Sequence, residues 1–340
     1  MKSFEIWQAG DGYEKHRIPG LLVTERGTLL MYPEARHEKS DWALMDILLC
    51  RSEDFGRTVS DATVLARGTE EIPTVNNPVM LQDKSGRIHF LYCENYSVCG
   101  GKICRRYSDD DGITWSESID ITEYTAPDFR NAFAFGPGHG ICTEEGVLIV
   151  PIWMVPKSYS SPVYAHSPSV VSTFYSTDNG ASWRLGDVLG SNYELQSPNE
   201  SSIVELPNGN FYINMRCMNY CRAKAYSNTG YSDWQDYGID KGLIDPRCFG
   251  SAAVYCLGDV KVLLFANCES QGARKNVVIK ASLNSGKTWE YRYTVDEERG
   301  GYVELNVDNR NGNIYVLYEN NGGDSVILSV LDNSWIEEVL

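Results

Sequence analysis

The chain has 340 residues, 42% of them hydrophobic, and a formal net charge of −16, so it has the apolar material for a sizeable core, while its acidity argues against binding a phosphate backbone. Its longest apolar runs, such as GVLIVPIWMVP (146–156), fall short of the roughly 20 residues of a membrane helix, and no apolar leader opens the chain. The ten cysteines and five histidines contain no Cys-x-x-Cys pair, the tightest spacings being Cys217/Cys221 and Cys99/Cys104; no metal site and no cofactor is expected, and the scattered thiols suit reduced core residues of a cytoplasmic protein.

In chain order the β-type runs are SFEIWQ (3–8), KHRIPGLL (15–22), GTLLMYPEAR (27–36), RIHFLYCEN (87–95), GVLIVPIWM (146–154), SIVELPNGNFYINMR (202–216), KVLLFANC (261–268) and NIYVLYEN (313–320). Gly, Asn, Asp or Pro bounds most of them, and no long segment has helical periodicity, so the chain reads as all-β. Between the runs an eight-residue phrase, Ser-x-Asp-x-Gly-x-Thr-Trp, returns as SDDDGITW (108–115), STDNGASW (176–183) and SLNSGKTW (282–289). Degraded copies are SEDFGRTV (52–59) and SNTGYSDW (227–234). The copies start 51 to 68 residues apart, a period suited to multi-stranded blades. Ser and Asp side chains can bond the backbone of a tight turn, Gly supplies a positive φ, and Trp returns the chain to the blade interior. One copy per blade makes five blades. The runs after 290 are one strand short of a sixth, which the N-terminal SFEIWQ can supply. The expectation is a single domain, 1–340, folded as a six-bladed β-propeller closed by the N-terminal strand joining the last blade.

HRIPGL, with a cation at the head of an apolar run, and the repeated phrase together resemble the bacterial-type sialidases (exo-α-neuraminidases) with Asp-boxes, and the resemblance spans nearly the whole chain. It implies that Arg17 is one of three arginines that grip a substrate carboxylate. The second is Arg216, which closes the apolar strand FYINMR. The third is Arg274 in SQGARKNVV, with Arg222 and Lys275 as rivals. A planar guanidinium donates two parallel hydrogen bonds and keeps its charge, which selects an acidic sugar.

The resemblance further implies Asp41 as general acid, with Asp46 as the rival, and Arg36 as a binding residue beside it. It implies Tyr302 in RGGYVEL as nucleophile, although many relatives have Tyr-Ser-Asp-Leu there. Glu200 becomes the base that activates the phenol, while Glu205 lies inside its strand, and Glu319 in LYEN orients Arg17. Trp42, Met80 and Trp153 are candidates for the wall around an N-acetyl group. A neutral phenol suits a substrate whose anomeric carbon bears a carboxylate, because a carboxylate nucleophile meets like-charge repulsion.

The implied function is exo-α-sialidase activity on a sialylated glycan, with retention through a tyrosyl-enzyme intermediate and no metal, nucleic acid or membrane involved. The same residues would serve a Kdn- or Kdo-type glycoside or a trans-sialidase. A non-catalytic propeller that binds acidic glycans is the reading from another class.

Overall fold

The β-type runs pair with their neighbours in sequence into six sheets, each of them a blade. The computed structural model describes the chain except for residues 11, 98–99, 127, 129–130, 158–165, 259 and 338–340. From the inner strand outward, blade one is Lys15–Val23, Leu29–Arg36, Met45–Ser52 and Thr63–Ala66. Blade two is Val75–Gln82, Ile88–Ser97, Gly100–Ser108 and Ile119–Asp120. Blade four is Ser201–Glu205, Phe211–Met215, Cys221–Ser227 and Gln235–Ile244. Blade five is Ser251–Leu257, Val260–Cys268, Val277–Ser282 and Tyr291–Asp296. Blade six is Val303–Asp308, Asn313–Asn320 and Ser325–Leu331, with the N-terminal Lys2–Gln8 antiparallel on its outer edge. The expected closure is therefore present.

Blade three departs from the rule. Its inner strand is broken into Phe133–Phe135 and Ile141–Cys142, against Leu148–Met154, Val170–Ser176 and Arg184–Leu185. Between the two pieces, Gly138–His139 crosses over and pairs in parallel with Val79 and Met80 of blade two. This detour, in the stretch GPGHG, accounts for part of the longest interval between phrases.

The second strands are buried on both faces because each blade packs on two neighbours; every residue of Leu29–Arg36 is buried. That explains why they read as continuous apolar runs rather than as alternating ones. Apolar clusters fill the gaps between blades all the way round. Trp7 of the N-terminal strand belongs to one of them, with Leu21, Met31, Leu317 and Leu328. The nine described cysteines are free thiols; Cys99 lies outside the described residues.

The repeated phrase forms the turn between the third and fourth strands. In blade two, Ser108 Oγ accepts the Gly112 amide at 2.8 Å, Asp110 accepts the Thr114 amide at 2.8 Å and the Thr114 hydroxyl at 2.6 Å, and Trp115 Nε1 donates to the Gly112 carbonyl at 3.2 Å. Positive φ falls on two successive residues, Asp111 and Gly112. The glycine has a second duty that the sequence did not reveal. Each of these turns packs against the preceding blade, so a Cβ on Gly112 would lie 3.0 Å from Leu30, and one on Gly180 would lie 2.6 Å from Arg105 and 2.7 Å from His89.

The strand directions fix where chemistry can happen. Second strands run antiparallel to inner ones, so the beginnings of inner strands and the ends of second strands share one face of the disc, and the phrase turns lie on the other. A test of the inter-blade duty is Gly180→Ala against Gly209→Ala. Both sites have φ near +80°, but no atom lies within 4 Å of a Cβ at Gly209. Thermal and denaturant unfolding should give a cost of about 1–2 kcal/mol for Gly209→Ala and roughly 1–3 kcal/mol more for Gly180→Ala. Equal costs would remove the packing role.

Candidate active site

The inner strand of blade one slips between Arg17 and Gly20. Ile18 there has φ 52°, a left-handed conformation that a β-branched residue adopts only under constraint. The constraint is Glu319, fully buried at 0% exposure. Its Oε1 accepts the Ile18 amide at 2.9 Å and Arg17 Nε at 2.8 Å, and its Oε2 accepts the Tyr302 amide at 3.2 Å. Glycine at 301 allows that approach, since a Cβ there would lie 2.5 Å from Glu319 Cβ. One carboxylate from the second strand of blade six therefore sets both Arg17 and the backbone of Tyr302.

Blade two repeats the device. Asn77, at φ 50° and again followed by proline, sits in a bulge between Asn76 and Val79, and its amide donates to Glu34 Oε1 at 2.7 Å. Glu34 Oε2 accepts Arg36 Nε at 2.9 Å and Nη2 at 2.5 Å, and Arg36 Nη1 reaches Asp41 Oδ1 at 2.5 Å. Glu319 and Glu34 hold corresponding places on adjacent blades, and each fixes an arginine and the bulge of the next blade.

At the centre, Tyr302 Oη donates a short hydrogen bond to Glu200 Oε1 and accepts one from Arg216 Nη1 at 3.0 Å. Arg216 also pairs with Glu200 Oε2 at 2.6 Å. The Arg17 and Arg274 guanidinium carbons lie 5.4 and 5.3 Å from the Tyr302 ring centroid. Among the described residues Arg274 has no carboxylate partner; its Nη2 reaches only the Arg247 carbonyl, at 3.5 Å.

Burial and Glu200 raise the Tyr302 phenol well above its usual value, against Arg216 and Arg274, so it is protonated. Burial also pushes Glu200 up, but Arg216, the Tyr302 hydrogen bond and Arg274 outweigh it, and the carboxyl stays below its ordinary range. Asp41 follows the same pattern: burial raises it, Arg36 with its hydrogen bond, Arg17 and His166 lower it further, and the net direction is down. The arrangement is an ionised base touching a neutral phenol, under convergent guanidinium groups, with a second carboxylate nearby.

These groups line a cleft of about 200 Å³, together with Asn76, Tyr96, Trp153, His166 and Asn199. A larger hollow of about 600 Å³ opens at the opposite mouth of the channel, among Glu25, Lys84, Glu144, Glu205 and Arg310. Within it, Arg310 pairs with Asp308 at 2.7 Å. The smaller cleft carries the Tyr302–Glu200 contact.

The structure brings Arg17, Arg36, Asp41, Glu200, Arg216, Arg274 and Tyr302 together in that cleft, with Glu319 beneath. The rivals lie elsewhere. Asp46 is buried and accepts Tyr13 Oη at 2.6 Å and the Gly68 amide at 2.9 Å. Arg222 is fully buried, with Nε on Asn214 at 2.6 Å, Lys275 is exposed, and Glu205 accepts the Glu144 amide at the far mouth.

Two expectations for the N-acetyl wall are corrected. Met80 lies in the core between blades one and two, because the bulge before Val79 resets which side chains face the neighbouring blade. Trp42 is not in the cleft lining; it stacks on Tyr96 at the rim, ring centroids 4.8 Å apart and 8° from parallel. Trp153 does line the cleft. Asn76, Asn77, Tyr96, His166 and Asn199 were missed. NNPV at 76–79 offered the one available signal, since it places a proline at the head of an inner strand as RIPG does.

Known proteins resemble the chain in sequence and in fold. The family described as BNR repeat-like domain matches residues 60–316. A sialidase of Micromonospora viridifaciens is 29% identical over 307 residues, covering 82% of this chain and 46% of that protein. A sialidase of Bacteroides fragilis is 28% identical over 344 residues, covering 91% of this chain and 60% of that protein. The chain thus spans about half to three fifths of the length of these relatives. Among solved structures, a Hadza microbial sialidase superposes with a TM-score of 0.84 at 26% identity, covering 97% of this chain and 68% of that one.

The role of Glu319 is open to a direct test. Glu319→Gln keeps the shape but removes the charge facing Arg17 and turns an amide donor toward one of its donor partners. Affinity for a carboxylate-bearing ligand, measured by calorimetry, should fall by about 1.5–3 kcal/mol. An unchanged affinity in a folded variant would take Glu319 out of the site.

Proposed function

We propose, from the premise that the chain belongs to the BNR-repeat sialidase family, that it is an exo-α-sialidase releasing terminal sialic acids with retention through a tyrosyl-enzyme intermediate. The observation that carries the reading is the Tyr302–Glu200 contact beside Arg17, Arg216 and Arg274. Of the three arginines, Arg274 is the one with no carboxylate partner among the described residues, and it can turn both of its outer nitrogens to an incoming carboxylate.

The steps balance without an outside reagent. The substrate carboxylate binds the three guanidinium groups, which holds the anomeric carbon against the Tyr302 oxygen. As that oxygen attacks, its proton passes to Glu200, and Asp41 gives a proton to the departing glycosidic oxygen. In the second half, the Asp41 carboxylate takes a proton from water, the water oxygen attacks the anomeric carbon, and Tyr302 leaves and recovers its proton from Glu200. A buried phenol is a poor nucleophile until its proton is removed, so the short contact with an ionised base is what makes the attack feasible.

Asp41 must be protonated to act as acid, yet Arg36 and Arg17 outweigh burial and hold it ionised in the free protein. A bound substrate carboxylate offsets Arg17 and raises Asp41 in the complex. The protonated fraction falls as pH rises, so both kcat and kcat/KM on sialyllactose should decline toward alkaline pH. The limb should lie lower in kcat/KM, which reports the free enzyme, than in kcat. On aryl sialosides, whose leaving group needs little acid, the limb should flatten. A pH profile identical for both substrates would remove Asp41 as the acid.

The nucleophile is tested by Tyr302→Phe, which deletes one oxygen and leaves the arginines in place. Turnover of 4-methylumbelliferyl α-sialoside should drop by on the order of 1000-fold or more while binding of a sialic-acid analogue persists. A 2,3-difluoro sialic acid should label the unaltered protein on the peptide containing Tyr302. A label on Asp41 or Glu200 would overturn the assigned roles. No turnover of any sialoside or Kdn glycoside would overturn the sialidase reading itself.

A further inference from the structure

Asp41 sits on a hairpin, residues 37–44, whose ties from His37 and Lys39 run back to Tyr13 and Glu14, just before blade one, and not across the cleft. The His37 amide donates to the Leu44 carbonyl at 3.0 Å and closes its base, and residues 37–42 are exposed. The bond from Arg36 to Asp41 ties the carboxylate to the foot of the same hairpin, so it leaves the lean of the hairpin toward the other blades unset. Trp42 makes the crossing. Its ring, 38% exposed, lies nearly parallel to Tyr96 at 4.8 Å and is stacked with His166 at 5.6 Å and 25°. Tyr96 and His166 in turn meet Trp153 edge-on, at 81° and 85°. Tyr96 and Trp153 are 5% and 4% exposed, so they form a fixed wall. A tryptophan on a hairpin as polar as HEKSDWA gains from having a ring to stack on, and Trp42 is one peptide unit from Asp41.

We infer that Trp42 is a positioning residue: by stacking across the mouth on Tyr96 and His166, it latches the acid hairpin and sets where Asp41 stands against the leaving-group oxygen. The inference rests on the sialidase reading for its chemistry, though the latch itself is a matter of geometry. Trp42 stands at the rim beside Asp41 and outside the lining of the cleft itself, so its removal is expected to act through Asp41.

The experiment uses aryl sialosides of graded leaving-group acidity, with Trp42→Ala, Trp42→Phe and the same changes in an Asp41→Ala background. A loosened acid matters most when the leaving group is poor, so log kcat/KM should depend more steeply on leaving-group pKa in Trp42→Ala. The loss should be about tenfold for the poorest leaving group, the rate equivalent of one aromatic stack, and small for the best. Trp42→Phe should restore most of it, and in the Asp41→Ala background neither change should matter further. A uniform loss across the series, a loss that persists without Asp41, or no change at all would overturn the inference. Hydrogen exchange over 37–44 supplies a readout independent of turnover. Trp42→Ala should exchange about tenfold faster there, and unchanged exchange overturns the latch even if the protein hydrolyses no sialoside, the outcome that would sink the sialidase reading instead.

Discussion

A single buried carboxylate, Glu319, joins what the chain keeps farthest apart. Its oxygens bond the Arg17 side chain and the Ile18 amide, about 300 positions away in sequence, and the Tyr302 amide at the head of its own blade. A carboxylate with no exposed surface bears a heavy desolvation cost unless a cation and directed donors meet it, and here one guanidinium and two amides do. The closure of the disc and the geometry of the cleft are therefore one interaction. If blade six drifted from blade one, Arg17 and the Ile18 amide would lose their partner, and Tyr302, which moves with Glu319, would be carried away from Arg17. The N-terminal strand on the outer edge of blade six, with Trp7 in the core shared with blade one, keeps that from happening.

The same device on the next pair of blades, Glu34 holding Arg36 and the Asn77 amide, extends the argument. Each bulge turns the chain at the head of an inner strand, and a left-handed residue before proline is tolerated because a carboxylate from the previous blade takes its amide. Both of these left-handed residues, Ile18 and Asn77, thus stand on the face that carries the cleft. The opposite face carries the Ser-x-Asp-x-Gly turns, whose hydrogen bonds are local and whose glycines seat one blade on another. The repeated turns and the cleft occupy opposite ends of the same strands.

That division explains what could be read in the sequence. The turns were legible because their chemistry is local: Ser, Asp, Gly and Trp at fixed offsets form a closed set of bonds within eight residues, and their recurrence counted five blades. Arg17 and Arg216 stood out as cations at the ends of apolar strands, whereas Tyr302, one of 21 tyrosines, was singled out by the resemblance and not by its surroundings. Tyr96 and His166 broke no pattern, since an aromatic residue at the end of a strand or in a loop suits core and cleft equally. Met80 and Trp42 were misplaced for a related reason. A bulge shifts the facing of every later side chain in a strand, and a hairpin can carry its tryptophan across the mouth instead of into it. The broken inner strand of blade three was hidden because GPGHG signals a turn and says nothing of the partner to which the turn leads.

The charge of the cleft sets the order of events on the proposed reading. Arg17, Arg36, Arg216 and Arg274 gather with Asp41, Glu200, Glu34 and Glu319 at one spot of a protein of net charge −16. A substrate carboxylate binds beside Arg17, one of the cations that keep Asp41 ionised. Filling the arginine site weakens the field on both carboxylates, since Arg17 acts on Asp41 while Arg216 and Arg274 act on Glu200. Glu200 nevertheless keeps its direct bonds to the Tyr302 hydroxyl and to Arg216, which favour its charged form. Two carboxylates can take different roles in one small cleft because their direct partners differ: Glu200 touches the phenol it is to deprotonate, and Asp41 is bonded to Arg36, which is not one of the three carboxylate-binding arginines.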